Sequence, residues 1–147
     1  MPFNAPFKLG PFVVDAEGRL APGKPEEAPA FLFRWRHRVV HARLVEAATG
    51  EGRIMLQATL GRVPSSASTP EGALRPQSFA LLHWLPRYLP PEWRIMLHPD
   101  HLVVLDAQPQ IAFPTTAASL VRELTCFLLA LSPYLDLLDE AGVNADV

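Results

Sequence analysis

The chain has one cysteine, Cys126, so no intramolecular disulfide can staple it, and a small bridge-built scaffold is excluded. A reducing cytoplasm is the expected location. Lysine is almost missing: Lys8 and Lys24 are the only two, and the other 11 of 13 basic residues are Arg. Together with 16 prolines and many Ala and Leu, this reads as compositional bias rather than a chemical requirement. The sequence lacks a G-x-G-x-x-G or P-loop segment, so a nucleotide would find no phosphate cradle. It also lacks a G-x-S-x-G elbow. Ser65, Ser66 and Ser68 fall in a loop sequence, and Cys126 falls in an apolar helix, where a thiol acts as a small hydrophobe.

Charge of one sign is lacking too. The formal charge is -2, from 13 basic and 15 acidic residues, so no net field points to nucleic acid or an anionic membrane. The longest apolar stretch, Leu124 to Leu135, is broken by Thr125 and Ser132-Pro133 and is too short to span a bilayer. MPFNAPFKLG has neither a charged start nor an apolar run, so it does not read as a signal peptide. No cofactor and no metal are expected. His98 and His101 would flank a turn, directly opposite each other, but no Cys or carboxylate pair stands nearby to complete a zinc set.

What is present is a core. At 147 residues and 49% hydrophobic, the chain fits one domain that buries roughly two-thirds of its unfolded surface. Residues 1–29 read as an N-terminal hairpin and connector, 31–140 as the core, and 141–147 as a fraying tail. In the hairpin, Phe12-Val13-Val14 leads into Asp15-Ala16-Glu17-Gly18-Arg19, where a left-handed Gly18 closes a three-residue loop. Residues 21–29 carry three prolines and two adjacent acids and read as an exposed connector.

From Phe31 to Val63 one register aligns every apolar residue on one face of a three-stranded antiparallel meander. A two-residue loop at His37-Arg38 sets Trp35 against Val40, Phe33 against Ala42 and Phe31 against Leu44. A second loop near Ala47 to Glu51 sets Leu44 against Ile54, Ala42 against Leu56 and Val40 against Ala58. Residues 64–75 read as a long loop. Gln77 to Leu85 then forms a short helix with Leu81, Leu85 and Tyr88 on one side, ended by Pro86. Trp93 to Asp106 reads as a hairpin turning at Pro99-Asp100, with Leu97 opposite Leu102, Ile95 opposite Val104, and Met96 and Val103 on the other face. Thr115 or Thr116 caps a long C-terminal helix, with a kink or a break at Ser132-Pro133 and a second helical piece to about Glu140. The fold class is therefore α+β: a meander plus a hairpin, packed against a short middle helix and a long C-terminal helix.

Two surfaces stand out. With Phe31, Phe33 and Trp35 turned inward, Arg34, Arg36, His41 and Arg43 point outward, and no acid lies between Ala28 and Val45. Their chemistry suits an acidic peptide, a phosphate group or nucleic acid. No exposed aromatic run accompanies them, so single-stranded nucleic acid is not expected. The second surface is the C-terminal helix. Leu128, Leu129, Leu131, Leu135, Leu137 and Leu138 cover more than one stripe, so a homodimer through this helix is expected beside a fully buried alternative.

Three strands, helix, hairpin and C-terminal helix over residues 31–140 resemble the element order of type III secretion chaperones and the related YbjN-like proteins. Those proteins usually begin with a helix, where this chain has a hairpin with Gly10, Pro11 and Gly18, and the chaperones are typically more acidic. The resemblance implies dimerisation and effector binding by analogy of architecture, with no residue matched individually. The expected function is thus a non-enzymatic, chaperone-like domain that binds a protein or peptide. A small-molecule binder or unrecognised enzyme, with Trp84, Tyr88 and the histidines around a pocket between meander and helices, is the alternative. A pure assembly interface is a third.

Overall fold

Alternating apolar residues build most of the architecture. The computed structural model describes residues 7–23, 29–46, 50–64, 71–113 and 115–143. Its strands are β1 (Phe7–Leu9), β2 (Phe12–Val14), β3 (Leu20–Pro22), β4 (Ala30–Trp35), β5 (Arg38–Glu46), β6 (Glu51–Arg62), β7 (Arg94–Leu97), β8 (Leu102–Ala107) and β9 (Gln110–Ala112). Helix α1 spans Arg75–Trp84 between two 3-10 turns, and α2 spans Ala117–Glu140. Strands β1-β2-β3 form a small sheet. The main sheet has the order β4-β5-β6-β8-β7, with β9 also paired to β6. All pairings are antiparallel, and the fold is α+β.

The β5–β6 register is the expected one, with Leu44 against Ile54, Ala42 against Leu56 and Val40 against Ala58. The β4–β5 register differs by two residues: Trp35 pairs with Arg38, Phe33 with Val40 and Phe31 with Ala42. The turn is Arg36-His37, at φ 48° and 67°, so two side-chain-bearing residues occupy the left-handed conformations a tight hairpin demands. Neither is the Gly or Asn that would have marked the turn. A shift of two preserves every face, so the core prediction survives the misplaced loop.

In the β7–β8 hairpin the slip is one residue, and it reverses β8. Leu97 pairs with Val103 and Ile95 with Leu105, rather than with Leu102 and Val104. The cause is a three-residue loop whose last member, His101, sits at φ 69°. The His98 N–H donates to the Leu102 carbonyl at 2.8 Å, and the His101 N–H donates to the His98 carbonyl at 2.9 Å. His98 and His101 therefore do not oppose each other. Val103, Leu105 and Ala107 enter the core, and Val104 turns to the other side.

Strands β8 and β9 continue one register along β6, from Val104 opposite Thr59 to Ala112 opposite Glu51. Pro109 interrupts the pairing only chemically. Its carbonyl accepts the Ile54 N–H at 2.9 Å, but it has no N–H to return.

On the core face lie Val40, Ala42, Leu44, Ile54, Leu56, Ala58, Leu60, Val103 and Leu105, with Phe31, Phe33 and Trp35 half-buried beside them. Helix α2 contributes Leu120, Phe127, Leu131, Leu135 and Leu138 to this core. The small sheet adds Phe12, Val14 and Leu20. Its Ala16-Glu17-Gly18 loop closes as the spacing predicts, with Gly18 at φ 84° and the Asp15 side chain accepting the Glu17 and Arg19 N–H groups, each at 2.9 Å. Strand β1 is an addition to the expected hairpin, and residues 21 and 22 belong to β3 rather than to a connector. Residues 24–28 of that connector and 65–70 of the long loop lie outside the described residues. The rest of the loop, Glu71–Leu74, is a 3-10 turn, and α1 begins two residues earlier than expected.

Thr116 caps α2 by accepting the Ser119 N–H at 3.1 Å. Of the kink or break expected at Ser132-Pro133, the break does not occur: the helix runs through Pro133 as one element. By length and composition alone it could cross a membrane, although one stripe of it is packed in the domain core. Its end is also ordered further than expected: Gly142 takes φ 83°, and buried Val143 donates its N–H to the Leu138 carbonyl at 2.9 Å. Residues 144–147 of the expected tail lie outside the described residues. Leu85 is buried on the predicted helix side, but Tyr88 is exposed.

Among the described residues one charged side chain lies inside this packing, beside the buried hydroxyls of Ser78 and Thr115. Arg38 is 4% exposed. Its Nε donates to the Leu60 carbonyl and its Nη1 to the Arg36 carbonyl, each at 3.0 Å, while Nη2 reaches the Asp139 carboxylate. Removing the carboxylate leaves a buried cation short of its counter-charge. Asp139→Ala should cost about 2–3 kcal/mol in a urea melt. Asp136→Ala, which removes an exposed partner of Arg36, should cost under about 1 kcal/mol. Equal losses would show that burial of Arg38 does not set the difference.

Candidate functional site: the open face of the main sheet

Alternation that sends one set of side chains into the core sends the other set outward, and no described element covers the outward set. Cross-strand pairing arranges these residues in rows. One row runs Arg34, Val39, Thr59, Val104, Met96. The next runs Leu32, His41, Gln57, Asp106, Arg94. A third pairs Ala30, Arg43 and Met55. Beyond them Val45 pairs with Arg53, which donates to Gln108 at 3.3 Å.

The face is apolar as well as basic. Leu32 is 59% exposed, and Met55, Met96 and Val45 are also exposed. Val104, between Thr59 and Met96 in its row, is 3% exposed, so it forms a floor rather than a knob. Between the second and third rows the sheet is concave. Leu32, His41, Arg43, Met55, Gln57 and Asp106 line a depression of about 610 Å³ that opens to solvent. Arg34, Arg43, Arg94 and His41 make no ion pair among the described residues, and Asp106 is the acid of the two central rows. Aliphatic side chains of this kind can pack against apolar groups, and guanidinium forks can donate to carboxylates.

Of the four residues singled out by sequence, Arg34, His41 and Arg43 stand on this face in adjacent rows. Arg36 does not join them. It sits in the β4–β5 turn and reaches toward α2, donating to the Ser132 carbonyl at 3.0 Å, to Asp136 at 2.7 Å and to Asp139 at 3.4 Å. The turn lies one residue earlier than expected, which explains this: strand alternation ends at Trp35, so Arg36 leaves the sheet plane. Leu32, Met55, Gln57, Asp106 and Arg94 were not singled out. The β5–β6 register already carried the signal for two of them, since His41 faces Gln57 and Arg43 faces Met55.

The residues expected to line a pocket between meander and helices do not converge. Trp84 is exposed with Arg87 stacked over its ring at 4.6 Å, Tyr88 is exposed, and the histidines are dispersed, with His37 in the β4–β5 turn, His83 on α1, His41 on β5, and His98 and His101 at the β7–β8 turn. Among the described residues no three His, Cys, Asp or Glu side chains come together as a metal set.

Because Arg34 and Arg43 hold nothing in place, they are free to be replaced. The double variant Arg34→Glu/Arg43→Glu should keep its urea midpoint within about 0.5 kcal/mol of the parent. A larger loss would mean these side chains brace the sheet. No family model, curated protein or solved structure matches this chain.

Proposed function

We propose that the open sheet face binds an acidic protein segment carrying apolar side chains, and that the domain is a non-enzymatic, chaperone-like binding module. The observation that carries this reading is the pairing of exposed Leu32, Met55 and Met96 with Arg34, Arg43 and Arg94, which form no ion pair among the described residues, on one surface that no described element covers. A purely structural face needs neither the apolar knobs nor the one-sided charge. Aliphatic anchors supply affinity by losing water, and the arginines select acids and speed encounter. The depression is wide and open, which suits a peptide better than a small ligand that must be enclosed.

Anisotropy with labelled extended peptides tests the reading. One series alternates Leu or Met with Glu or Asp, and a second replaces the acids by Lys. The acidic series should bind, weaken as salt rises, and lose at least about tenfold in affinity on Arg34→Glu/Arg43→Glu and on Leu32→Asp. Equal binding of both series, or binding indifferent to these variants, would overturn the proposal.

A further inference from the structure

The side of α2 turned away from the core is an apolar stripe that no described residue covers, and one charge of each sign flanks it. From Leu124 to Leu135 the helix has no charged residue, and Thr125, Cys126, Leu129, Ala130 and Pro133 in that span are exposed. At 100° per residue, Leu129 lies opposite the buried stripe of Leu120, Phe127, Leu131 and Leu138. It is 64% exposed. Val121 and Leu137, also exposed, stand on the two shoulders. Solvent alone does not account for so long an uncharged exposed run.

Arg122 lies seven residues before Leu129 and Asp136 seven residues after it, both on the outward side. We propose that a second copy of this chain covers the stripe, with the two α2 helices antiparallel and Leu129 on the two-fold axis. In that register each Arg122 meets the partner's Asp136, about 10 Å from the axis on either side. A parallel pairing would set Arg122 against Arg122 and Asp136 against Asp136, so the charge pattern selects the antiparallel one. The side chains are available for it. Arg122 makes no ion pair among the described residues, and Asp136 keeps most of its surface while bonded to Arg36 through one oxygen.

A bilayer surface fits the same stripe less well. Its polar flanks carry Asp136, Asp139 and Glu140 against Arg122 and no Lys, the reverse of the basic flanks that hold a helix on anionic lipid. The self-association is independent of peptide binding, because α2 packs on the sheet face opposite the open one. The layers of the dimer would run sheet, helix, helix, sheet, leaving two open faces directed outward. Two linked copies of an acidic segment could then engage both, with the gain in avidity that linkage gives.

Light scattering over a concentration series, with fold checked by circular dichroism, tests the proposal. The parent should be dimeric, and Leu129→Asp should raise the dissociation constant on the order of 100-fold while staying folded. Arg122→Glu and Asp136→Arg should each be monomeric alone and should form a heterodimer when mixed, since mixing restores both opposite-charge contacts. In a Cys126→Ser background, Leu129→Cys should oxidise to a covalent dimer. The native Cys126 pair, about 9 Å apart along the axis, should not. A parent that stays monomeric at the highest concentration overturns the proposal. So does a dimer indifferent to Leu129→Asp, or one that Cys126 cross-links as readily as Leu129→Cys. Leu129-dependent sedimentation with anionic vesicles by a monomeric parent would overturn it in favour of a lipid surface.

Discussion

The buried guanidinium of Arg38 is the constraint on which the rest of the arrangement depends. A cation at 4% exposure is tolerable only when its donors are satisfied, and the three acceptors come from three separate parts of the chain. The Leu60 carbonyl belongs to β6, where its pairing with β8 shifts register between Thr59 and Gly61. The Arg36 carbonyl belongs to the left-handed turn between β4 and β5. Asp139 belongs to the last turn of α2. Satisfying Arg38 therefore fixes the position of the bulge, the conformation of the turn and the seating of the helix at once. Arg36 adds to this from the turn itself, through Ser132, Asp136 and Asp139.

That cluster also accounts for what the sequence concealed. Hydrophobic alternation made the meander faces legible, because period-two burial is a property of neighbours along one strand. The β5–β6 pairing followed directly from it, and so did the Gly18 loop, where one glycine announces the left-handed residue. The β4–β5 turn was not legible, since Arg36 and His37 hold left-handed conformations without the residue types that favour them. Their support comes from a helix about a hundred residues away. His101 hid the β7–β8 register in the same manner, and there the one-residue slip changed which side of β8 is buried.

The continuous α2 is a further case of long-range support outweighing a local signal. Proline removes one donor from a helix interior and crowds the preceding turn, a cost of about 3 kcal/mol in an isolated helix. Here Leu131, Leu135 and Leu138 are buried on both sides of Pro133. Trp35 donates to the Ser132 hydroxyl at 3.3 Å and Arg36 to the Ser132 carbonyl, so the sheet holds the turn that the proline loosens. Of the candidate site, three of the four residues chosen from sequence share the open face because strand alternation reached them. Arg36 departed because alternation stops where the turn begins.

An uncovered sheet face invites edge-to-edge and face-to-face aggregation, and the distribution of arginine limits both. The outer strands are β4, β7 and the three-residue β9; β7 is four residues long, and β4 and β7 each carry an outward arginine, Arg34 and Arg94. Short, charged edges disfavour addition of another strand, while the basic rows repel the same face of a second copy. A segment that brings acids to these rows escapes the repulsion and gains the apolar contacts beneath. On the proposed reading, the arginines that repel a second open face are the groups that would select an acidic occupant, so charge, more than the size of the depression, would decide what the surface holds.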